Sequence, residues 1–292
     1  MHPKVSQGSV PSLNAGDISA LLLTLREGTE MALVVGIVLA YLSHIGAYGA
    51  QRWVWLGVAA AAGVSLAFLG ILNALDKEFA GATEQLFEGA TMLLAAAFLT
   101  WMILWMSRNS RSLKGELQRG VTAALERGGA AWGVFLLVFF AVVREGVELA
   151  LLLFAAPGQG KLLGGVLGTA GAIGIGVVIY AFGRRVDLRS FFRITTILLV
   201  IFAAGLVSHA AHEFAGAGLL SGIDGPVLWS TRATLPEDDG LGAVLRSLFG
   251  YADSPHAIEV VTYIGYFVVA WLLSRTRLAR APIAAPKKAV AS

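Results

Sequence analysis

Two short runs, Arg26-Glu27-Gly28-Thr29-Glu30 and Arg144-Glu145-Gly146-Val147-Glu148, share the pattern R-E-G-x-E inside otherwise apolar stretches. On a helix Arg26 and Glu30 are i,i+4 neighbours and Glu27 and Glu30 are i,i+3, which puts all three on one stripe about 100° wide. The same holds for Arg144, Glu145 and Glu148. Each run sums to one net negative charge, so two facing runs would present four carboxylates held in place by two guanidiniums. Oxygen-only donors of that kind suit a hard cation. The plainer reading is buried Arg–Glu glue between helices. One pair per helix would serve that purpose, and the second glutamate of each run would be left over.

Further ligand candidates are Glu84 and Glu88, spaced i,i+4, and His209, His212 and Glu213, which share a helix face. Carboxylate plus imidazole suits iron, manganese or zinc, and these residues fall near the outer ends of their helices, where they would collect an ion for the deeper glutamates. Arg26, Arg144 and His209 are read as supporting residues. Gly28 and Gly146 fall on another face, where small residues let helices approach. Asp76, Glu78 and Asp224 read as solvated charges, His44 and His256 as interfacial residues, and Glu259 as a residue that could pair or ligate.

The elements that must position these groups are set by composition. Of 292 residues, 57% are apolar and only 14% charged, against about 25% charged in a soluble domain, and mean hydropathy is +0.73. Soluble enzymes and nucleic-acid binders are excluded on that basis. With no cysteine, disulfides, thiolate metal sites and iron–sulfur clusters are excluded as well. Seven stretches have the ~20 apolar residues a spanning helix needs: 18–43, 53–75, 85–106, 132–155, 162–182, 191–214 and 257–274. The first shows no cleavage site and is expected to persist. One set of loops collects Arg52, Arg108 to Arg127, Arg184 to Arg193 and the basic residues from Arg275 onward, whereas the other holds Lys4, Lys77, Lys161, Arg232 and Arg246. The positive-inside rule then places the N-terminus outside and the C-terminus in the cytoplasm.

The motifs open the first and fourth spans, which divides the chain into two three-helix units. An odd number of helices per unit forces the units into opposite orientations, the plan of many secondary transporters. The expected fold is therefore an all-α integral membrane protein in one permease domain, 1–274, with repeat one at about 18–106, repeat two at about 132–214 and a seventh helix at 257–274. The stretch 215–256 is expected as a solvated external loop, and 275–292 as a disordered cytoplasmic tail. All four motif glutamates fall about 12 to 18 Å below the outer surface of a ~30 Å core. At that depth an ionised side chain costs about 2.5 to 3.5 kcal/mol on insertion scales, so six of them require partners and a purpose.

At these residues the sequence resembles the oxidase-dependent iron permease family, which includes the fungal high-affinity iron permease and the bacterial EfeU-type permease. Its two R-E-G-x-E runs match the family's paired R-E-x-x-E signature, Glu84 and Glu88 with Leu99-Thr100-Trp101-Met102 resemble its third helix, and Ala204-Gly205-Leu206 through His212-Glu213 its bacterial sixth helix. The resemblance implies iron import across a cytoplasmic (inner) membrane, with Glu27, Glu30, Glu145 and Glu148 binding iron in passage. It implies partners in other chains: an extracytoplasmic iron-binding protein and an oxidase or peroxidase. No permanently bound cofactor, nucleic acid or catalytic activity is expected. A permease for another divalent metal, such as lead or manganese, keeps the same architecture. An intramembrane acid–base enzyme would need a nucleophile or phosphate-cradling loop beside the motifs, and none is present. There is no G-x-x-x-x-G-K-[ST] motif either, so a gradient or a partner must drive transport, and proton exchange at the glutamates is one candidate.

Overall fold

The computed structural model describes residues 14–109, 113–126, 130–158, 160–182, 188–220 and 225–275. These form nine α-helices: α1 (Ala15–His44), α2 (Gln51–Glu78), α3 (Ala82–Asn109), α4 (Leu113–Glu126), α5 (Ala130–Ala155), α6 (Leu162–Phe182), α7 (Leu188–Gly216), α8 (Gly240–Phe249) and α9 (Ala257–Arg275). Among the described residues there is no strand, only an isolated bridge between Val227 and His256. Four helical stretches are long and apolar enough to cross a membrane on length and composition: Tyr48–Glu78, Ala82–Leu104, Arg193–Gly216 and Ala257–Arg275. With 30 and 26 residues, α1 and α5 have the length too, but each carries the three charges of its motif. The chain is a multi-pass helical membrane protein.

Two helices lie where the sequence reads as loop. Helix α4 is amphipathic, buries Val121 and is tied to α1 by a 2.7 Å hydrogen bond between the Thr122 and Tyr41 hydroxyls. The ten-residue α8 lies within the expected external loop. It starts at Asp239, whose carboxylate accepts from the Gly240 amide, and ends at Gly250, which takes the left-handed conformation (φ 70°). Gly250 packs backbone to backbone on Gly205 of α7: a Cβ at Gly205 would stand 2.8 Å from the Gly250 Cα. Both helices escape a hydropathy reading, one because its polar face cancels its apolar one, the other because it is too short. Of the expected tail, 275–292, Arg275 is the last residue of α9, and 276–292 lie outside the described residues.

Small residues decide which helices pair. Along α6, Gly164, Gly168, Ala172 and Gly176 recur every four residues and meet Asp17, Leu21 to Leu25, Gly28 and Ala32 of α1 in that order, so α1 and α6 run parallel. A Cβ on Gly28 would come within 2.7 Å of the Ala172 Cβ. The start of the pair is locked by Asp17. Together with Asn14 it forms a capping box, and its Oδ1 accepts the Gly164 amide at 2.9 Å. Helices α2 and α5 repeat the arrangement, with Gly57 against Phe135 to Phe139 and Ser65 against Gly146. Helix α3 packs on α7, and α9 on α7. Exchanging α1, α2, α3 for α5, α6, α7 maps all of these pairs except that of α9 onto one another, and α1 and α5 cross in opposite directions because Gly16 near the start of α1 lies beside Gly158 just past the end of α5.

Each motif lies between two apolar clusters. One contains Leu23, Leu99, Met102, Leu152, Leu199, Phe202, Leu206 and Tyr266, and the other Val38, Leu42, Val54, Val121, Val134 and Val138. The stripes predict a graded effect. Gly164→Ala drives a methyl into the Asp17 carbonyl and lowers the melting temperature of the detergent-solubilised protein by several degrees, overpacking costing about 1 to 3 kcal/mol. Gly36→Ala, with open space at its Cβ position, leaves the temperature unchanged or higher. Fluorescence-detected size-exclusion melting compares the two.

Candidate metal centre

Where α1 crosses α5, Glu27, Glu145 and Glu148 each bring a carboxylate oxygen within 4.8 Å of the others. Among the described residues no other three His, Asp or Glu side chains come so close together. All three are buried. Their positions follow from the parallel pairing of α1 with α6 and α2 with α5, which seats Gly28 and Gly146 against small side chains and turns the charged stripes toward each other. Glu27 Oε2, Glu145 Oε2 and both oxygens of Glu148 accept no hydrogen bond from any described residue. Buried polar oxygens ordinarily have a donor, and a cation is the partner that three converging carboxylates can share.

Glu30 is not one of these three. Arg26, with 1% of its side chain exposed, ion-pairs with both Glu27 and Glu30, the latter at 3.0 Å. It also donates an N–H to the Met102 sulfur at 3.3 Å. Arg144 sits less deeply, with 33% of its side chain exposed. Its Nε lies 3.5 Å from Glu145 Oε1, and its guanidinium is 5.8 Å from the centre of the Trp101 ring. The two motifs are alike in sequence and unequal in structure: one arginine is locked, the other rests on an aromatic face.

The remaining candidates divide between two places. Glu88, His209 and Glu213 line a cleft of about 1780 Å³ together with Asp76, Lys161 and Arg246. Glu84 and His212 lie outside its lining. His212 is more than half exposed, and its Nδ1 is 3.0 Å from Glu259 Oε1 on α9; that carboxylate also accepts the His256 amide at 3.2 Å. Sequence spacing left Glu259 open, since a contact 47 residues away has no local signature. Lys161, in the α5–α6 connection, was read only as a loop charge. Its ammonium donates to the Leu153 carbonyl at 2.7 Å, closing the C-terminal end of α5, and burial pushes its pKa down to about 8 despite the opposing pull of Asp76 and Glu88. Trp101 and Met102 stand in the stretch that resembles the family's third helix, but their contacts with Arg144 and Arg26 have no local signature.

The inequality of the arginines predicts unequal costs. Arg26→Gln leaves Glu27 and Glu30 buried without their cation, a loss of about 3 to 5 kcal/mol, and is expected to lower thermal stability strongly. Arg144→Gln, at a partly exposed site, lowers it much less. Melting curves of both variants in one detergent read the difference, and equal shifts would contradict the assignment.

Residues 18–278 match the model of the iron permease FTR1 family. The chain is 35% identical over 257 residues to the ferrous iron permease EfeU of Escherichia coli O6:H1 (strain CFT073), covering 85% of this chain and 92% of the relative. It is likewise 35% identical over 257 residues to the ferrous iron permease EfeU of Yersinia pestis, covering 86% and 91%. No solved structure matches. On the extent of these matches, the chain belongs to the iron permease FTR1 family.

Proposed function

We propose that this chain imports ferrous iron across the cytoplasmic membrane, with Glu27, Glu145 and Glu148 holding the ion at the midpoint of its passage. The observation that carries the reading is the convergence of those three carboxylates from two oppositely directed helices. The matching relatives, named as ferrous iron permeases, supply the cargo. In this reading α1, α2, α3, α5, α6, α7 and α9 are seven spans, the first six forming two inverted three-helix repeats, with the N-terminus outside and the C-terminus cytoplasmic. The two motifs together carry two net negative charges, which one divalent cation balances. Arg26 fixes Glu27 and takes Glu30 out of direct ligation. Glu88 and Glu213 in the cleft collect the ion on the outer side, and an extracytoplasmic iron-binding protein or oxidase would deliver it there.

Oxygen donors alone fit manganese as well as ferrous iron, so cargo and site are tested together. Uptake of radioactive iron into proteoliposomes is measured for wild type, Glu27→Gln and Glu148→Gln at matched protein density, with and without excess manganese, zinc or lead. Loss of even a residue behind a metal ligand costs about 10- to 100-fold in affinity or activity, so each substitution should lower uptake at least about tenfold. Uptake that survives both substitutions would make the motifs structural glue. Stronger competition by manganese or lead than by iron itself would change the cargo and leave the site in place.

A further inference from the structure

The central carboxylates leave a chemical gap. Magnesium and calcium are hard cations that prefer oxygen ligands, so three glutamates cannot by themselves separate ferrous iron from more abundant ions of the same charge. Imidazole suits iron, zinc and copper, whereas carboxylate suits magnesium, calcium and manganese. A nitrogen donor on the route to the carboxylates would supply the discrimination they lack.

His209 is placed to be that donor. Its Nδ1 lies 2.9 Å from the Gly205 carbonyl one turn back on α7. A carbonyl oxygen can only accept, so the proton must sit on Nδ1 and the lone pair on Nε2. Nε2 makes no hydrogen bond to any described residue, and the side chain lines the cleft with Glu88 and Glu213. Glu213, four residues on, lies on the same face of α7. Arg246, also in the lining, pairs with Glu237 at 2.9 Å and Asp238 at 3.0 Å, so its hydrogen bonds go to those carboxylates and not to Glu213. His212, the more obvious candidate by sequence, stands outside the cleft lining, where Glu259 on α9 holds its Nδ1 at 3.0 Å. Helix α8 contributes by holding α7 at this turn, because Gly250 packs on Gly205, the residue whose carbonyl sets the tautomer.

From this arrangement we infer that His209 is the selectivity residue of the permease, binding the transition-metal ion through Nε2 beside Glu213 in the outer cleft before it passes to Glu27, Glu145 and Glu148. The inference rests on the permease reading above. It is tested with full-length protein in proteoliposomes by measuring anaerobic ferrous iron uptake against rising magnesium, for wild type, His209→Asn and His209→Glu. Wild-type uptake should resist magnesium, while both variants should be inhibited at concentrations about tenfold lower or less. Retained uptake with an unchanged magnesium curve would overturn the inference.

A binding measurement keeps the test decisive if a variant is inactive. Cupric ion added to the purified protein should show the electron-spin-echo modulation of a coordinated imidazole in wild type and in His212→Asn, and the modulation should vanish in His209→Asn. Modulation that persists in His209→Asn would overturn the assignment. Glu148→Gln should keep the modulation while losing transport. If Glu148→Gln transports normally, the central site fails independently of His209.

Discussion

Three glutamate side chains buried against one another where two helices cross dominate this structure. At an effective dielectric of about 20, each pair of like charges near 4.8 Å repels by about 3.5 kcal/mol, before any cost of removing the carboxylates from water. Arg26 beside Glu27 and Arg144 beside Glu145 offset only part of that. The helices are held at this distance by contacts elsewhere: the Gly164, Gly168, Ala172 and Gly176 stripe on α6, its counterpart around Gly57 and Ser65 on α2, and the Asp17 carboxylate that ties the starts of α1 and α6. Packing energy spread over two long helix pairs keeps the carboxylates together.

The pairing scheme also explains why the chain is one unit. Helix α1 packs mainly on α6 and α2 mainly on α5, so each half is completed by the other and contacts within a half are sparse. A design of this kind makes the crossing of α1 and α5 common to both halves. The symmetry is broken at the arginines. Arg26 is enclosed by Glu27, Glu30 and Met102, whereas Arg144 is partly exposed over Trp101. The site is therefore asymmetric: one guanidinium is enclosed with two carboxylates, and the other meets Glu145 at 3.5 Å from a partly exposed position.

Much of this was legible in the sequence because it depends on local spacing. The R-E-G-x-E runs are read directly, and the stripe they share on each helix and the packing face of Gly28 and Gly146 follow from 3.6-residue periodicity. What escaped depends on contacts between distant segments. Which glutamates converge could not be read from the motifs, since Glu30 and Glu148 occupy the same motif position and differ only because Arg26 turns toward Glu30. The pairing of His212 with Glu259, and hence the exposure of His209 rather than His212 to the cleft, joins helices 47 residues apart. Helices α4 and α8 were hidden because hydropathy detects spans and registers an amphipathic or short helix as loop.

The cleft and the crossing of α1 and α5 differ in donor type: the first mixes imidazole with carboxylate, and the second holds buried carboxylates alone. The central claim is that the ion rests among Glu27, Glu145 and Glu148. Anomalous diffraction at the iron edge, from crystals loaded anaerobically with ferrous iron, tests it directly. A peak about 2.0 to 2.2 Å from an oxygen of each of the three glutamates, the ordinary range for a carboxylate on a divalent transition metal, is the predicted result. Iron bound only elsewhere, with the three carboxylates closed onto Arg26 and Arg144, would contradict the account.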